Sequence, residues 1–162
     1  MSHLPVYEMS LADCAYVCQN MREDDFKETS SLTFAKTKEA MAKVILNQGG
    51  ESYTIFNRDG EPVVIGGAYY SNPKVATIWL LATDKISKRD WWVTTKFIME
   101  LMQLMFENNT AHRIQAQSIG WRHVAHKWLQ RIGLSQEGHL KGFAEDGYDV
   151  LIFGKTKENS NG

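Results

Sequence analysis

The sequence predicts a single α/β (α+β) domain in which about four helices flank a mixed central sheet of about six to seven strands. Asp59 and Gly60 separate two β-rich segments, which is a strong signal for an antiparallel hairpin. Downstream, strand-like and helix-like segments alternate, which predicts parallel pairing in the middle of the sheet. The 162 residues are 43% hydrophobic and 11% aromatic, enough for one sizeable core.

The N-terminal third is predicted to form a short strand and two helices. The strand is Pro5–Met9, and Ser10 can cap a helix that starts at Leu11. Apolar or small residues recur along this helix at the spacing of one buried stripe. If the helix is extended with the same spacing, two carboxylates also lie on its inner face. The stripe is Cys14, Val17, Cys18, Met21, Asp25 and Glu28. A second helix is predicted from Lys36 to Leu46.

The rest of the domain follows the hairpin. The strands are predicted at Ser52–Phe56, Pro62–Gly66, Ala76–Ala82, Arg113–Ser118 and Tyr148–Phe153. A long helix starts at Ser87, which has capping-box spacing to Asp90, and a short helix ends at Gly133. The packed positions of the long helix are Trp91, Ile98, Leu101, Met102 and Met105. We assign residues 1–155 to the domain and residues 156–162 to a disordered tail.

The charge balance and hydropathy do not point to a nucleic-acid or membrane partner, although a local basic patch remains compatible with them. Lys and Arg number 18 against 19 Asp and Glu, so the net charge of -1 gives no argument for binding to nucleic acid or to a membrane. No apolar run approaches the roughly 20 residues that span a bilayer, and the N-terminus lacks the pattern of a signal peptide. We therefore expect a protein that is not secreted.

The cysteines and histidines do not suggest a metal site. Cys14 and Cys18 would lie on one helix face in a geometry unsuited to a disulfide, so we expect buried free thiols. His123 and His126 are three apart on the short helix without a third ligand nearby, so a solvated helix face is expected.

The C-terminal third carries a resemblance to a known fold. The strand Arg113–Ser118, the amphipathic helix that ends at Gly133 and the closing strand Tyr148–Phe153 resemble the second half of a Gcn5-related N-acetyltransferase (GNAT), and the upstream order of elements agrees. The resemblance implies that two adjacent parallel strands splay apart and that the acyl-CoA thioester lies in the gap. It also implies acetyl-CoA as cofactor, with contacts at the end of the central strand. These contacts are assigned to Leu81, Ala82 and Thr83.

The loop after the central strand departs from the GNAT pattern. Typical members have a Gln/Arg-x-x-Gly-x-Gly/Ala loop whose main-chain N–H groups grip the CoA pyrophosphate. The corresponding segment, Thr83–Trp92, contains no glycine, and its large side chains would crowd the phosphates. Lys85, Lys88 and Arg89 could pair with the phosphates directly, and the alternative is a solvated basic turn that begins a helix. The sequence leaves CoA binding open.

The catalytic groups of the family are also replaced. Active relatives start the short helix with an Asn that contacts the cofactor and place a Tyr proton donor four residues before its last Gly. Here Arg122 lies near the Asn position and Leu129 occupies the Tyr position. Asp84 is the best placed carboxylate for a general base, and a cap of the next turn is the alternative. Whether the protein is an enzyme is therefore open.

Four segments resemble one family within this fold more closely, the GNAT-like internal virion protein A of short-tailed bacteriophages. They are Met21–Glu28, Asp59–Gly67, Trp79–Asp84 and Trp128–Gly133. The resemblance implies a role in virion assembly, a location in the host cytoplasm or the virion interior, and a phage structural protein or a host protein as partner. The oligomeric state, monomer or dimer, stays open.

The first of these segments contains the family pattern Met-Arg-x-x-Asp-x-x-Glu. It implies that Arg22, Asp25 and Glu28 lie beside the substrate cleft. Because buried carboxylates are costly unless paired, the alternative is a structural ion pair with Arg22 or Arg113.

Two functions follow. A noncatalytic assembly protein is favoured by the missing glycines and the absent Tyr, and an N-acetyltransferase that modifies an amine of a host protein or small molecule is favoured by the topology. Binding to a host regulator is a third reading. Trp91 and Trp92 differ by about 100° around their helix, so one of them is expected at a boundary or at a partner interface.

Overall fold

The structure is a computed structural model that describes residues 4–158. The described residues form seven strands and five helices. In chain order these are β1 (Val6–Glu8), α1 (Leu11–Gln19), α2 (Glu23–Leu32), α3 (Lys38–Asn47), β2 (Glu51–Phe56), β3 (Pro62–Asn72), β4 (Val75–Ala82), α4 (Lys88–Glu107), β5 (Arg113–Ile119), α5 (His123–Arg131), β6 (Ser135–Leu140) and β7 (Val150–Thr156). No helix of this part of the chain is long and apolar enough to cross a membrane.

The strands form one mixed sheet in the order β1-β2-β3-β4-β5-β7-β6. The pairs β1–β2, β2–β3, β5–β7 and β6–β7 are antiparallel, whereas β4 pairs with β5 in parallel from Val75↔Arg113 to Thr77↔Gln115. Helix α4 connects β4 to β5, and such a crossover is what parallel neighbours require. The predicted fold class is therefore confirmed, with seven strands and with five helices instead of about four.

The additional helix arises where one continuous helix was predicted from Leu11 to Glu28, and there the prediction was wrong. Helix α1 ends at Gln19 and α2 begins at Glu23. Between them, Met21 forms an antiparallel bridge with the residue that follows β4. Bridge pairing needs an extended backbone, which a helix cannot provide. The predicted stripe is nevertheless buried, with the exception of half-buried Glu28.

The chain packs as two compact units. The first comprises the residues up to Tyr69 and Trp79–Phe97, and the second comprises Tyr70–Ile78 and the residues from Ile98 onward. In the first unit the side chains of Leu81 and Ala82 belong to two different buried clusters, because successive residues of a strand point to opposite faces. The sheet of this unit is therefore covered on both faces.

The second unit buries one face of β5. Ile114 and Ala116 are buried, whereas Gln117 is exposed. On α4, the predicted packing positions Ile98, Leu101, Met102 and Met105 are buried. Strand β7 includes Thr156, one residue beyond the predicted domain end, and the last four residues of the predicted tail lie outside the described residues.

Candidate functional site

Thr83 is the first residue of the short loop that joins β4 to α4, and its hydrogen bonds hold this loop together. Its hydroxyl accepts the main-chain N–H of Lys85 at 3.3 Å, and its carbonyl accepts the N–H of Ile86 at 3.2 Å. Its own N–H donates to the carbonyl of Val63 at 2.9 Å. Ile86 packs against a buried cluster of the first unit. The loop is a tight turn in which the N–H groups of Lys85 and Ile86 donate within the turn itself.

A buried carboxylate lies at the N-terminus of α4. Ser87 and Asp90 form the predicted capping box, in which Ser87 N–H donates to Asp90 Oδ2 at 2.9 Å and Asp90 N–H donates to Ser87 Oγ at 3.1 Å. Asp90 is 1% exposed, and Arg89 lies 3.3 Å from its other oxygen. Asp90 therefore places a buried negative charge at the N-terminus of α4, the end of a helix at which negative charge is favoured.

Two of the three cations that were predicted to hold phosphates are engaged in ion pairs. Lys85 Nζ lies 2.7 Å from Glu61 Oε2. This hydrogen bond raises the pKa of Lys85 and lowers the pKa of Glu61, so both side chains stay charged at neutral pH. Arg89 is paired with Asp90, and Lys88 is exposed in the first turn of α4. The structure thus leaves Lys88 as the cation of this loop most accessible to an external anion.

The edge of β4 that faces away from β3 is closed at its end by the connection between α1 and α2. Thr83 N–H points to β3, so Ala82 presents both of its main-chain groups to the opposite edge. There, Ala82 carbonyl accepts the N–H of Arg22 at 2.9 Å, and Ala82 N–H donates to Asp25 Oδ2 at 2.9 Å. An extended ligand that paired with Ala82 as an added strand would have to displace these two bonds.

Asp25 is fully buried and is held in place by Arg22. The Arg22 guanidinium donates to both carboxylate oxygens, at 3.0 and 3.1 Å, and lies 5.1 Å from the centroid of the Trp91 ring. Of the two predicted arginine partners, the structure therefore uses Arg22, and Arg113 pairs elsewhere. Glu28 is half-buried on the same helix. The three residues predicted beside a substrate cleft thus lie close together, and two of them form a structural ion pair.

The remaining predicted site residues lie around this edge. Asp84, the candidate general base, is exposed on the turn after β4, and the side chain of Leu81 is buried in the core. The buried carboxylates of this region are Asp25 and Asp90. From the sequence, Asp90 was expected as a helix cap and as a negative charge near the predicted phosphate position, and the structure adds that its carboxylate is buried.

In the second unit, α5 carries no proton donor at the predicted Tyr position. Leu129 is buried there, and Arg122 precedes the first turn of the helix. His123 is exposed as expected, but the prediction for His126 was wrong, because that ring is buried and hydrogen-bonds the carbonyl of Ile119 at 3.0 Å. The described residues contain no group of three or more His, Cys, Asp or Glu side chains that could hold a metal ion.

Comparison with known proteins reveals similarity at the level of structure. No family model and no curated protein matches the sequence. An acetyltransferase of the GNAT family from Bacillus anthracis superposes with a TM-score of 0.73 at 16% identity, covering 95% of each chain. A ribosomal-protein-alanine N-acetyltransferase from Brucella melitensis gives 0.72 at 15% identity, covering 94% of this chain and 99% of the other. A ribosomal L7/L12 alpha-N-protein acetyltransferase in complex with coenzyme A gives 0.72 at 12% identity, covering 93% and 92%. The chain therefore has the GNAT fold, as predicted.

Main-chain and side-chain groups at several of the predicted cofactor positions are bonded within the protein. The N–H and carbonyl of Ala82, one of the predicted cofactor residues, are bonded to Asp25 and Arg22. The N-terminus of α4, where a diphosphate would bind, already holds the Asp90 carboxylate. A bound diphosphate would face this buried negative charge.

Proposed function

We propose that this chain is a GNAT-fold protein of virion assembly in a short-tailed bacteriophage, with weak or no acyl-transfer activity. The observation that carries the proposal is the closed edge of β4, where Arg22 and Asp25 take both main-chain groups of Ala82. A protein that keeps the fold while using its cofactor positions for internal bonds is better suited to a structural role than to acyl transfer.

The hydrogen bonds at the closed edge of β4 allow an estimate of how much they weaken the binding of a ligand at Ala82. A ligand that takes Ala82 N–H must break the Asp25 hydrogen bond and leave a fully buried carboxylate with one partner fewer. Loss of a hydrogen bond to a buried charged group costs about 1.5–3 kcal/mol, and 3 kcal/mol weakens binding by about 100-fold. A micromolar CoA site would become one of about 100 μM before any repulsion by Asp90 is considered.

Calorimetric titration with acetyl-CoA tests the noncatalytic part of the proposal. We expect no heat of binding and no thermal shift at millimolar ligand, because any ligand that binds the native state must stabilise it. A companion variant changes Lys85, Lys88 and Arg89 to Ala, and Lys43→Ala on the exposed face of α3 is the matched charge control. Binding by the native protein that the triple variant loses and the control keeps would refute the proposal.

The assembly part of the proposal is supported by the four segments that resemble internal virion protein A. It is tested by mass spectrometry of purified particles of a phage whose genome encodes this chain. We expect the protein in the particle or bound to a phage structural protein in the infected cell. Its absence from both would overturn the assembly role, whatever the result with acetyl-CoA.

The alternative function is acetyl-CoA-dependent N-acetylation of an amine on a host protein or a small molecule. Similarity to acetyltransferase structures over 93–95% of this chain favours it. Acetyl transfer to a panel of amines and N-terminal peptides, measured with labelled acetyl-CoA, decides between the two. Turnover above that of a heat-denatured sample would support the alternative.

A further inference from the structure

Helix α4 exposes a tryptophan between two lysines. Lys88, Trp92 and Lys96 are each four residues apart and therefore lie on one face of the helix, which we call the α4 patch. Trp92 is 57% exposed, whereas Val93 and Phe97 on the other side of the helix are each 2% exposed. Because those two residues anchor the helix in the core, the Trp92 ring is directed outward by a rigid element.

Two lysines flank Trp92 on the α4 patch, and the acidic residues Asp84 and Glu100 lie four residues before Lys88 and four residues after Lys96. Of the neighbouring cations, Lys85 is neutralised by Glu61, and Arg89 is neutralised by a buried carboxylate. Lys88 and Lys96 have no ion-pair partner among residues 4–158, and Lys96 Nζ lies 6.0 Å from the centroid of the Trp92 ring. The patch therefore combines one large exposed aromatic ring with two free positive charges, in a chain whose net charge is -1.

We infer that the α4 patch is a docking surface for an acidic protein partner. An exposed tryptophan on a rigid helix offers a large apolar contact at little entropic cost, and tryptophan is enriched among the residues that dominate binding energy. Lys88 and Lys96 are eight residues apart, which places their Cα atoms about 12 Å apart along the helix. The complementary segment of the partner places an apolar side chain over Trp92. It also places one carboxylate near Lys88 and another near Lys96, so the two carboxylates lie about 12 Å apart.

The same features argue against nucleic acid and lipid as partners. Affinity for a nucleic acid comes from many phosphate contacts, and Lys88 and Lys96 supply two. Stable membrane association needs a broad apolar helix face, whereas Trp92 is flanked by lysines on its own face. The inference goes beyond the proposed assembly role, because it names the surface and the chemical class of its partner. Of the three residues of the α4 patch, Lys88 was also predicted to hold a cofactor phosphate, whereas Trp92 and Lys96 were not.

Fluorescence anisotropy with a designed peptide tests the inference. The probe is a labelled helical peptide of about four turns that carries a central Leu and Glu residues four positions before and after it, so its carboxylates lie about 12 Å apart. We expect Trp92→Ser to weaken binding by about 10-fold or more, as truncation of a central aromatic anchor does. We expect the charge reversals Lys88→Glu and Lys96→Glu to weaken it by a similar factor at low salt.

Matched variants control for unspecific effects. Phe34→Ser removes another exposed aromatic ring of the first unit, and Lys43→Glu reverses another exposed lysine. Both should bind the peptide within about twofold of the native protein, as expected for residues outside the contact. The inference is overturned if the native protein does not bind, or if these controls lose as much affinity as the variants of the α4 patch. It is also overturned if a 20-nucleotide oligo-dT or phosphatidylserine vesicles bind more tightly than the peptide through Trp92.

Discussion

Replacement of Asp25 by Ala is the most informative single change. The Asp25 carboxylate is fully buried, and the hydrogen bonds it accepts include two from Arg22 and one from Ala82 N–H. The substitution removes all three and opens the edge of β4. If this carboxylate holds the connection between α1 and α2 on the strand, its loss should destabilise the whole protein.

The magnitude follows from the two groups that Asp25→Ala leaves behind. The Ala82 N–H loses its acceptor in the interior, which costs about 1–3 kcal/mol. The Arg22 side chain is 24% exposed and can turn partly to water, so the loss lies at the lower end of the 3–5 kcal/mol typical of a broken buried pair. We expect about 3 kcal/mol, equivalent to a fall in Tm of about 6–12 °C for a chain of this size.

Urea denaturation of the Asp25→Ala variant measures this loss. Asp24→Ala is the matched control, because Asp24 lies in the same first turn of α2 but is exposed. It should lose less than about 1 kcal/mol, the worth of a charge near a helix N-terminus. Asp25→Asn keeps an acceptor for Ala82 N–H and should lie between the two. Equal stability of Asp25→Ala and Asp24→Ala would refute the role assigned to the buried carboxylate.

Two further predictions concern the second unit. A Cβ at Gly154 would lie 2.6 Å from Arg113 Nη2 and overlap the Glu137 carboxylate, so Gly154→Ala should displace the ion pair that lowers the pKa of Glu137. Carbon-13 NMR titration should then show that the pKa of Glu137 rises, and an unchanged value contradicts the reasoning. The hydrogen bond from His139 lowers the pKa of Asp149 below its value in the unfolded chain. The ionised Asp149 carboxylate therefore stabilises the folded protein above about pH 4, and this stabilisation is lost as the pH falls through the folded-state pKa. The difference in Tm between the native protein and Asp149→Asn should accordingly shrink below about pH 4, and a difference independent of pH contradicts it.

The elements that were predicted correctly are those specified by local patterns. The Asp-Gly turn, the cap of α4 and the apolar stripe of α1 each depend on residues a few positions apart, and each is present in the structure. The break at Met21 could not be predicted in this way, because its cause is a bridge to Thr83, far along the chain. The same holds for His126, whose helical spacing suggested a solvated face but whose acceptor is a carbonyl at the end of β5.

The sequence by itself determined the fold class, the order of most elements along the chain, and the absence of a glycine loop and of the expected Tyr. It also identified Arg22, Asp25 and Asp90 as residues of interest, although it left several roles open for them. Only the tertiary structure decided that Asp25 and Arg22 close the edge of β4 at Ala82. The physical reason is that this edge consists of main-chain N–H and C=O groups, which nearly every residue carries. The packing of distant segments decides which groups these N–H and C=O groups bond to. The type of residue at a position such as Ala82 therefore does not reveal these partners.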